Sequence, residues 1–361
     1  DNTIRYSVCT GVTLGKHGDK FDNTSANSAE GYVETIKRGL AAGWSKENIG
    51  HHLVRNNHIS HCEQAGIVGS LGAAFSTITG NEIHEIHVRR LFAGFEQAGI
   101  KFHGPIDTVI SDNHIYRTDR GIWLDWMTQG THVTRNLVHD TLRREDLFVE
   151  VNHGPFLVDH NLFLSKISML DVSEGGAYAH NLFAGDIKRG PELGRETPWQ
   201  VEHGTKIAGL APTRGGDNRF LNNVFIAPAG LDGYDDCHFP NHMAGNVFLN
   251  GAEPSKHEKS PLLAPGFDPA LKLREENGSW FLDFAPAPGD AGAAGPLVTS
   301  ELLGKAAVTG QPYVKPDGSP YRLDRDYFGA RRAGAAASPG PLATPVDGGQ
   351  PLKVWPRAGG T

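Results

Sequence analysis

Two short segments, Gly121–Trp126 and Asp146–Val151, each carry one carboxylate, Asp125 and Glu150, at the same phase of an alternating pattern. Ile122, Leu124 and Trp126 in the first, and Leu147, Val149 and Val151 in the second, share one face that must turn toward a core. Asp125 and Glu150 then face outward, beside Trp123 and Phe148. On adjacent strands of a stack the two carboxylates would stand roughly 5 Å apart, about the separation between nucleophile and acid/base in a glycosidase that retains configuration. Two carboxyls this close cannot both ionise cheaply. One therefore keeps a proton for a leaving oxygen, while the other can attack an anomeric carbon. The residues alone leave open which carboxyl does which. A stripe of solvated acids is the non-catalytic reading of the same pattern.

The stacking that would bring the two together is written in a repeat. The pattern apolar-x-x-Asn-x-apolar recurs around Asn57, Asn81, Asn113, Asn136 and Asn161, and Asn-x-Phe continues it at Asn181, Asn223 and Asn246. A strand-rich, helix-poor repeat of roughly 20–45 residues specifies an all-β parallel β-helix, each asparagine bonding the coils above and below. Asp125 and Glu150 precede Asn136 and Asn161 by the same interval, so they share a column. Aligning Gly99 with Gly121 places His103 in the Asp125 column and Lys101 in the Trp123 column, with Glu96 at the turn leading in. Trp123 and Phe148 then offer faces to a sugar ring, and Lys101, His103 and His153 offer bonds to its hydroxyls.

Glu96, Gly121–Asp125 and Asp146–Pro155 together resemble glycoside hydrolase family 120, the likeness running from about His51 to Asn250. The resemblance implies a right-handed parallel β-helix with an inserted β-sandwich, acting as a retaining β-xylosidase on xylo-oligosaccharides. It implies Asp125 as nucleophile, Glu150 as acid/base and Glu96 as a third active-site acid. The segment Arg195–His203 does not align with the family pattern, and nothing before Asp1 supplies the sandwich. Asp1–Ile4 reads as mid-coil, so earlier coils, or a partner chain over that end, are expected.

Along the chain, residues 1–250 are expected to form the β-helix. Residues 251–331 should form strands packed on its end, followed by a Gly-, Ala- and Pro-rich tail over 332–361. Thr10–Ser28 reads as a loop, and Ser28–Leu40 as a short helix capped by Ser28, with Val33, Ile36 and Leu40 on one face. The excursion 186–218 reads as a loop walling one end of a groove, as an exo-acting enzyme needs. It brings Trp199, as sugar platform or loop anchor, and His203 as a further sugar contact.

A formal net charge of −7 disfavours nucleic acid or a membrane surface as partner, and no apolar run reaches the roughly 20 residues of a membrane span. Three cysteines, Cys9, Cys62 and Cys237, make neither a disulfide framework nor a zinc motif. His51, His52, His58 and His61 match no ligand spacing. Asp235 and Asp236 could hold calcium but are ordinary in a Gly-rich turn. Asp324–Gly329 reads as a structural turn. No cofactor and no metal are expected; homo-oligomerisation, and a cytoplasmic against a secreted location, stay open. Two rival classes fit the fold: a lyase using Lys101 or His103 on a uronate polymer, and a non-catalytic carbohydrate-binding solenoid.

Overall fold

The computed structural model describes residues 1–16, 32–91, 96–285, 295–332, 336–343 and 351–357. Three parallel sheets of ten, seven and nine strands run the length of the molecule, successive coils adding strands to each. This is the expected parallel β-helix.

The asparagine ladder fixes its pitch. The Oδ1 of Asn81 accepts both the backbone N–H and the Nδ2 of Asn57, at 3.0 and 2.9 Å, and Asn113, Asn136, Asn161, Asn181, Asn223 and Asn246 repeat the arrangement. Asn2 joins at one end and Glu258 accepts from Asn246 at the other. The residue before each rung, from Asn56 (φ 54°) to Asn222 (φ 56°), is left-handed, with Gly80 and Gly245 at two of these positions. Such a corner turns the chain sharply enough for the amide to reach back along the stack. Two residues after each rung an apolar side chain enters the core. Phe163, Phe183, Phe225 and Phe248 stack there at 5.2–5.4 Å between ring centroids.

Several boundaries differ from those expected. Thr10–Lys16 is a strand, because Val12 alternates onto the core and pairs with Ile67. The helix is Tyr32–Ala41, burying Ile36 with Val33 and Leu40 against it, while the proposed Ser28 cap lies outside the described residues. Trp126 and Val151 join that helix cluster, with Trp44, instead of the central core. The coils continue past 250 to Leu262–Ala264.

Beyond them the chain lies along the flanks of the β-helix and not on its end. Lys272–Glu276, Ser279–Asp283 and Leu352–Trp355 form an antiparallel sheet that covers Leu137, Leu162, Leu182 and Val247 outside the ten-stranded sheet. Val298, Leu303, Tyr313 and Tyr321 cover Leu157, Ala177 and Leu221 outside the nine-stranded one. The tail is thus partly a structural strap, since a β-helix whose outer columns are apolar needs covering. No helix among the described residues is long and apolar enough to cross a membrane.

This architecture buries imidazoles. Burial lowers His84 to about 4 and also lowers His114, His139, His160 and His180. Unfolded histidines take up protons near pH 6.5, so below that pH the unfolded chain binds more protons than the folded one. The contribution is complete above about pH 6.5 and is lost as pH falls toward 4, at about 1.4 kcal/mol per pH unit for each such proton. Urea midpoints measured from pH 7.5 to 4.5 are expected to fall with this curvature. A flat profile would show that these groups are already protonated in the fold.

Candidate active site

The seven-stranded sheet carries the candidate residues, and its register is the one the sequence requires. Ser70, His103, Asp125, Glu150 and Val172 form one column, and Val68, Lys101, Trp123, Phe148 and Leu170 form another. The alternate residues Ile100, Phe102, Ile122, Leu124, Leu147 and Val149 are wholly buried in the core. Gly121 admits no side chain, since a Cβ there would lie 2.2 Å from the Asp146 carbonyl oxygen. That close approach brings the two carboxylate strands together at their first residues. Asp125 and Glu150 are direct partners, with backbones about 5 Å apart by strand spacing.

Asp125 is held by three donors. Lys101 Nζ and His103 Nε2 donate to Oδ2 at 2.9 and 2.8 Å, and the Trp126 backbone N–H donates to Oδ1 at 2.9 Å. Glu96 closes the group by pairing with Lys101, its other oxygen 4.0 Å from His103. Lys101 and His103 are therefore both engaged on carboxylates. Glu150 accepts from Trp123 Nε1 at 3.0 Å and from Arg195 at 2.5 Å.

These contacts pull the two carboxyls apart in acidity. Burial pushes Asp125 upward, but Lys101 and His103 outweigh it and hold the group far below the usual carboxylate range. Glu150 is raised, by burial first and by the Asp125 charge second, against the opposing pull of Arg195 and Lys101. Glu96 is lowered: burial raises it, but Lys101 and His103 prevail. Lys101 is itself raised, because Asp125 and Glu96 overcome the effect of burial. The pair thus contains one carboxyl held low and one raised.

The remaining candidates are placed differently from expectation. Trp123 and Phe148 point outward but are 8% and 6% exposed, stacked at 5.3 Å and capped by the Arg120 guanidinium at 4.1 and 4.6 Å. Their faces are taken by a cation–π contact and do not form an open platform. His153 is buried, with Nδ1 on Glu174 at 2.6 Å and Nε2 on the carbonyls of Thr197 and Ala211 at 3.1 Å. It ties down the excursion instead of meeting a sugar.

That excursion is an antiparallel hairpin, Glu192–Gln200 with Ile207–Thr213. Trp199 packs edge-on against His153 at 5.1 Å and closes over Gly209, which fits an anchor rather than a platform. His203 bonds Asp107 at 2.8 Å, pinning the hairpin tip to the coil. The hairpin delivers Arg195 to Glu150, which sequence reasoning missed. Arg195 lies in the stretch that could not be aligned, and no periodic signal marks it. Arg120, also missed, directly precedes Gly121 at the strand entry.

Asp235 and Asp236 are occupied by Ser255 and Lys256, and Asp326 accepts from Phe328 and Ala330 within its own turn. A cavity of about 390 Å³ bordered by His132, Asp159 and Tyr321 lies on the nine-stranded sheet, away from the carboxylate pair.

Residues 1–140 and 35–185 match the right handed beta helix region family. The chain superposes on XylC in its complex with xylose at TM-score 0.91 with 34% identity, covering 98% of this chain and 60% of that one. No curated protein matches it. The chain belongs to the right-handed β-helix family, and its match to XylC agrees with the resemblance to glycoside hydrolase family 120 seen over Glu96–Pro155.

Proposed function

We propose that this protein is a retaining, exo-acting glycoside hydrolase that releases xylose from the non-reducing end of β-xylo-oligosaccharides. The observation that carries the proposal is the opposed acidity of two directly paired carboxyls, Asp125 anionic and Glu150 raised. In this reading Asp125 attacks the anomeric carbon while Glu150 protonates the leaving oxygen. Glu150 then deprotonates the water that clears the glycosyl-enzyme. A backbone separation of about 5 Å favours this route over inversion, which needs room for a water between the carboxyls.

Lys101, His103 and the Trp126 amide keep the nucleophile ionised and fix its direction, and Glu96 balances Lys101. Arg195 holds Glu150 from the hairpin side, and the hairpin supplies the wall that limits the enzyme to chain ends. Xylose as the sugar rests on the likeness to XylC, of whose length this chain spans about three fifths. The rival lyase reading needs a cation that can shed its proton, yet Lys101 is clamped between two carboxylates that raise it.

The test is a panel of nitrophenyl glycosides with proton NMR of the first-formed sugar. Turnover of β-xyloside above α-arabinoside, α-fucoside and β-glucoside, with β-xylose appearing first, is expected. First-formed α-xylose would rule out retention. Inactivity on every neutral glycoside, with an ultraviolet-absorbing product from a uronate polymer, would move the protein to the lyases.

A further inference from the structure

The histidines clustered in sequence between His51 and His61 do not assemble with one another as ligands. His51 turns back to the Lys46 carbonyl. His58 instead reaches across to the next coil, where the strand Glu82–Ile86 pairs His58 with Glu82 and Ser60 with His84. His58 and His84 bring their Nε2 atoms to 2.9 Å, and Glu82 lies 3.2 Å from His58 Nδ1. One ligand atom from each of the three residues fits within 4.8 Å of the others.

From these contacts we propose that His58, Glu82 and His84 form a transition-metal site on the outer face of the ten-stranded sheet, clamping two neighbouring coils. Two imidazole nitrogens and one carboxylate suit zinc, cobalt, nickel or copper, whereas calcium and magnesium call for oxygen-only shells. Ligand atoms in a tetrahedral zinc site stand about 3.4 Å apart, given zinc–nitrogen bonds of about 2.1 Å. The two ring nitrogens need only separate slightly, and the carboxylate must swing inward.

The surroundings favour this arrangement. Tyr116 stacks on His84 at 4.8 Å and donates its hydroxyl to Glu82 at 3.1 Å, orienting two of the three ligands.

The fold contains its own comparison. His114 and His139, farther along the same sheet, pair their Nε2 atoms at 2.8 Å in the same diagonal manner. Trp280 and Trp355 pack against that pair and His114 is fully buried. At the first pair the side chains of His58 and Glu82 are 36% and 28% exposed, so an ion can enter.

The experiment uses the whole protein, stripped with a chelator and titrated with cobalt(II) and with zinc(II) by calorimetry. Visible absorption of bound cobalt and the thermal unfolding midpoint are followed in parallel. One equivalent is expected to bind, with tetrahedral cobalt absorption and a zinc-dependent rise in the midpoint. His58→Ala and His84→Ala should abolish all three signals, and Glu82→Gln should weaken binding by about 10–100-fold. Glycoside turnover should be unchanged in His58→Ala. If His84→Ala does not fold, the partly exposed His58 carries the test. Absence of saturable binding, or undiminished binding in His58→Ala, overturns the proposal.

Discussion

Asp125→Asn is expected to remove turnover of every glycoside, activated or not. The loss should exceed the about 10⁴-fold upper range of a single proton-transfer group, because the covalent route itself disappears. Glu150→Gln should behave differently. Unactivated xylo-oligosaccharides should lose about 10²–10⁴-fold, whereas a nitrophenyl glycoside, whose leaving group needs little protonation, should lose far less in its first step. Added azide should partly restore the second step in Glu150→Gln, since an anion needs no general base, and give the β-glycosyl azide. Any rescue of Asp125→Asn should instead proceed by direct displacement and give the α-glycosyl azide.

The two residues are distinguishable because their surroundings differ. Asp125 is held ionised by Lys101, His103 and the Trp126 amide, while Glu150 is raised by burial and by Asp125. Equal losses on activated and unactivated substrates in Glu150→Gln, without azide rescue, would remove it as the acid/base. A β-glycosyl azide from Asp125→Asn and an α-glycosyl azide from Glu150→Gln would exchange the roles.

Lys101→Met should have the largest effect on stability. Lys101 is fully buried, 1% exposed, and pairs at once with Asp125 and Glu96. Methionine fills the volume but leaves both carboxylates without their cation, and breaking a buried ion pair in this way costs about 3–5 kcal/mol. The cost should depend on pH with a definite sign. Asp125 and Glu96 are both depressed in the folded parent, so their stabilisation is present above the ordinary carboxylate range and is lost as pH falls from that range toward their depressed folded values. The difference between parent and variant, measured by denaturant titration, should therefore be large at pH 7 and shrink as pH falls below about 4. In the variant the acidic limb of kcat/KM should also move to higher pH, because Asp125 loses the cation that holds it down. A deficit independent of pH would show that Lys101 contributes packing alone.

Stacked coils and their column register were legible from residue types because both are periodic. Alternation with period two separates Ile122 and Leu124 from Trp123 and Asp125, and the recurring asparagines measure the coil. Once Gly99 is aligned with Gly121, Lys101, His103, Asp125 and Glu150 fall into adjoining columns without further information. The direct pairing of Asp125 with Glu150 could therefore be anticipated from the linear chain. Which carboxyl is held low and which is raised could not, since it depends on which side chains converge on each oxygen.

Contacts made by segments outside the coils have no period. Arg195 reaches Glu150 only because His153 and Asp107 pin a hairpin across the site. Arg120 caps Trp123 and Phe148 because the strand entry at Gly121 is tight enough to lay its guanidinium over both rings. The Gly- and Ala-rich tail returns as the strand Leu352–Trp355 because Val354 and Trp355 find apolar surface outside the ten-stranded sheet, a face whose extent depends on every coil beneath it. His58 and His84, 26 residues apart, meet for the same reason. The sequence by itself determined which residues share a column; tertiary structure decided what covers each column, because burial and charge are set by the nearest atoms, whatever their distance along the chain.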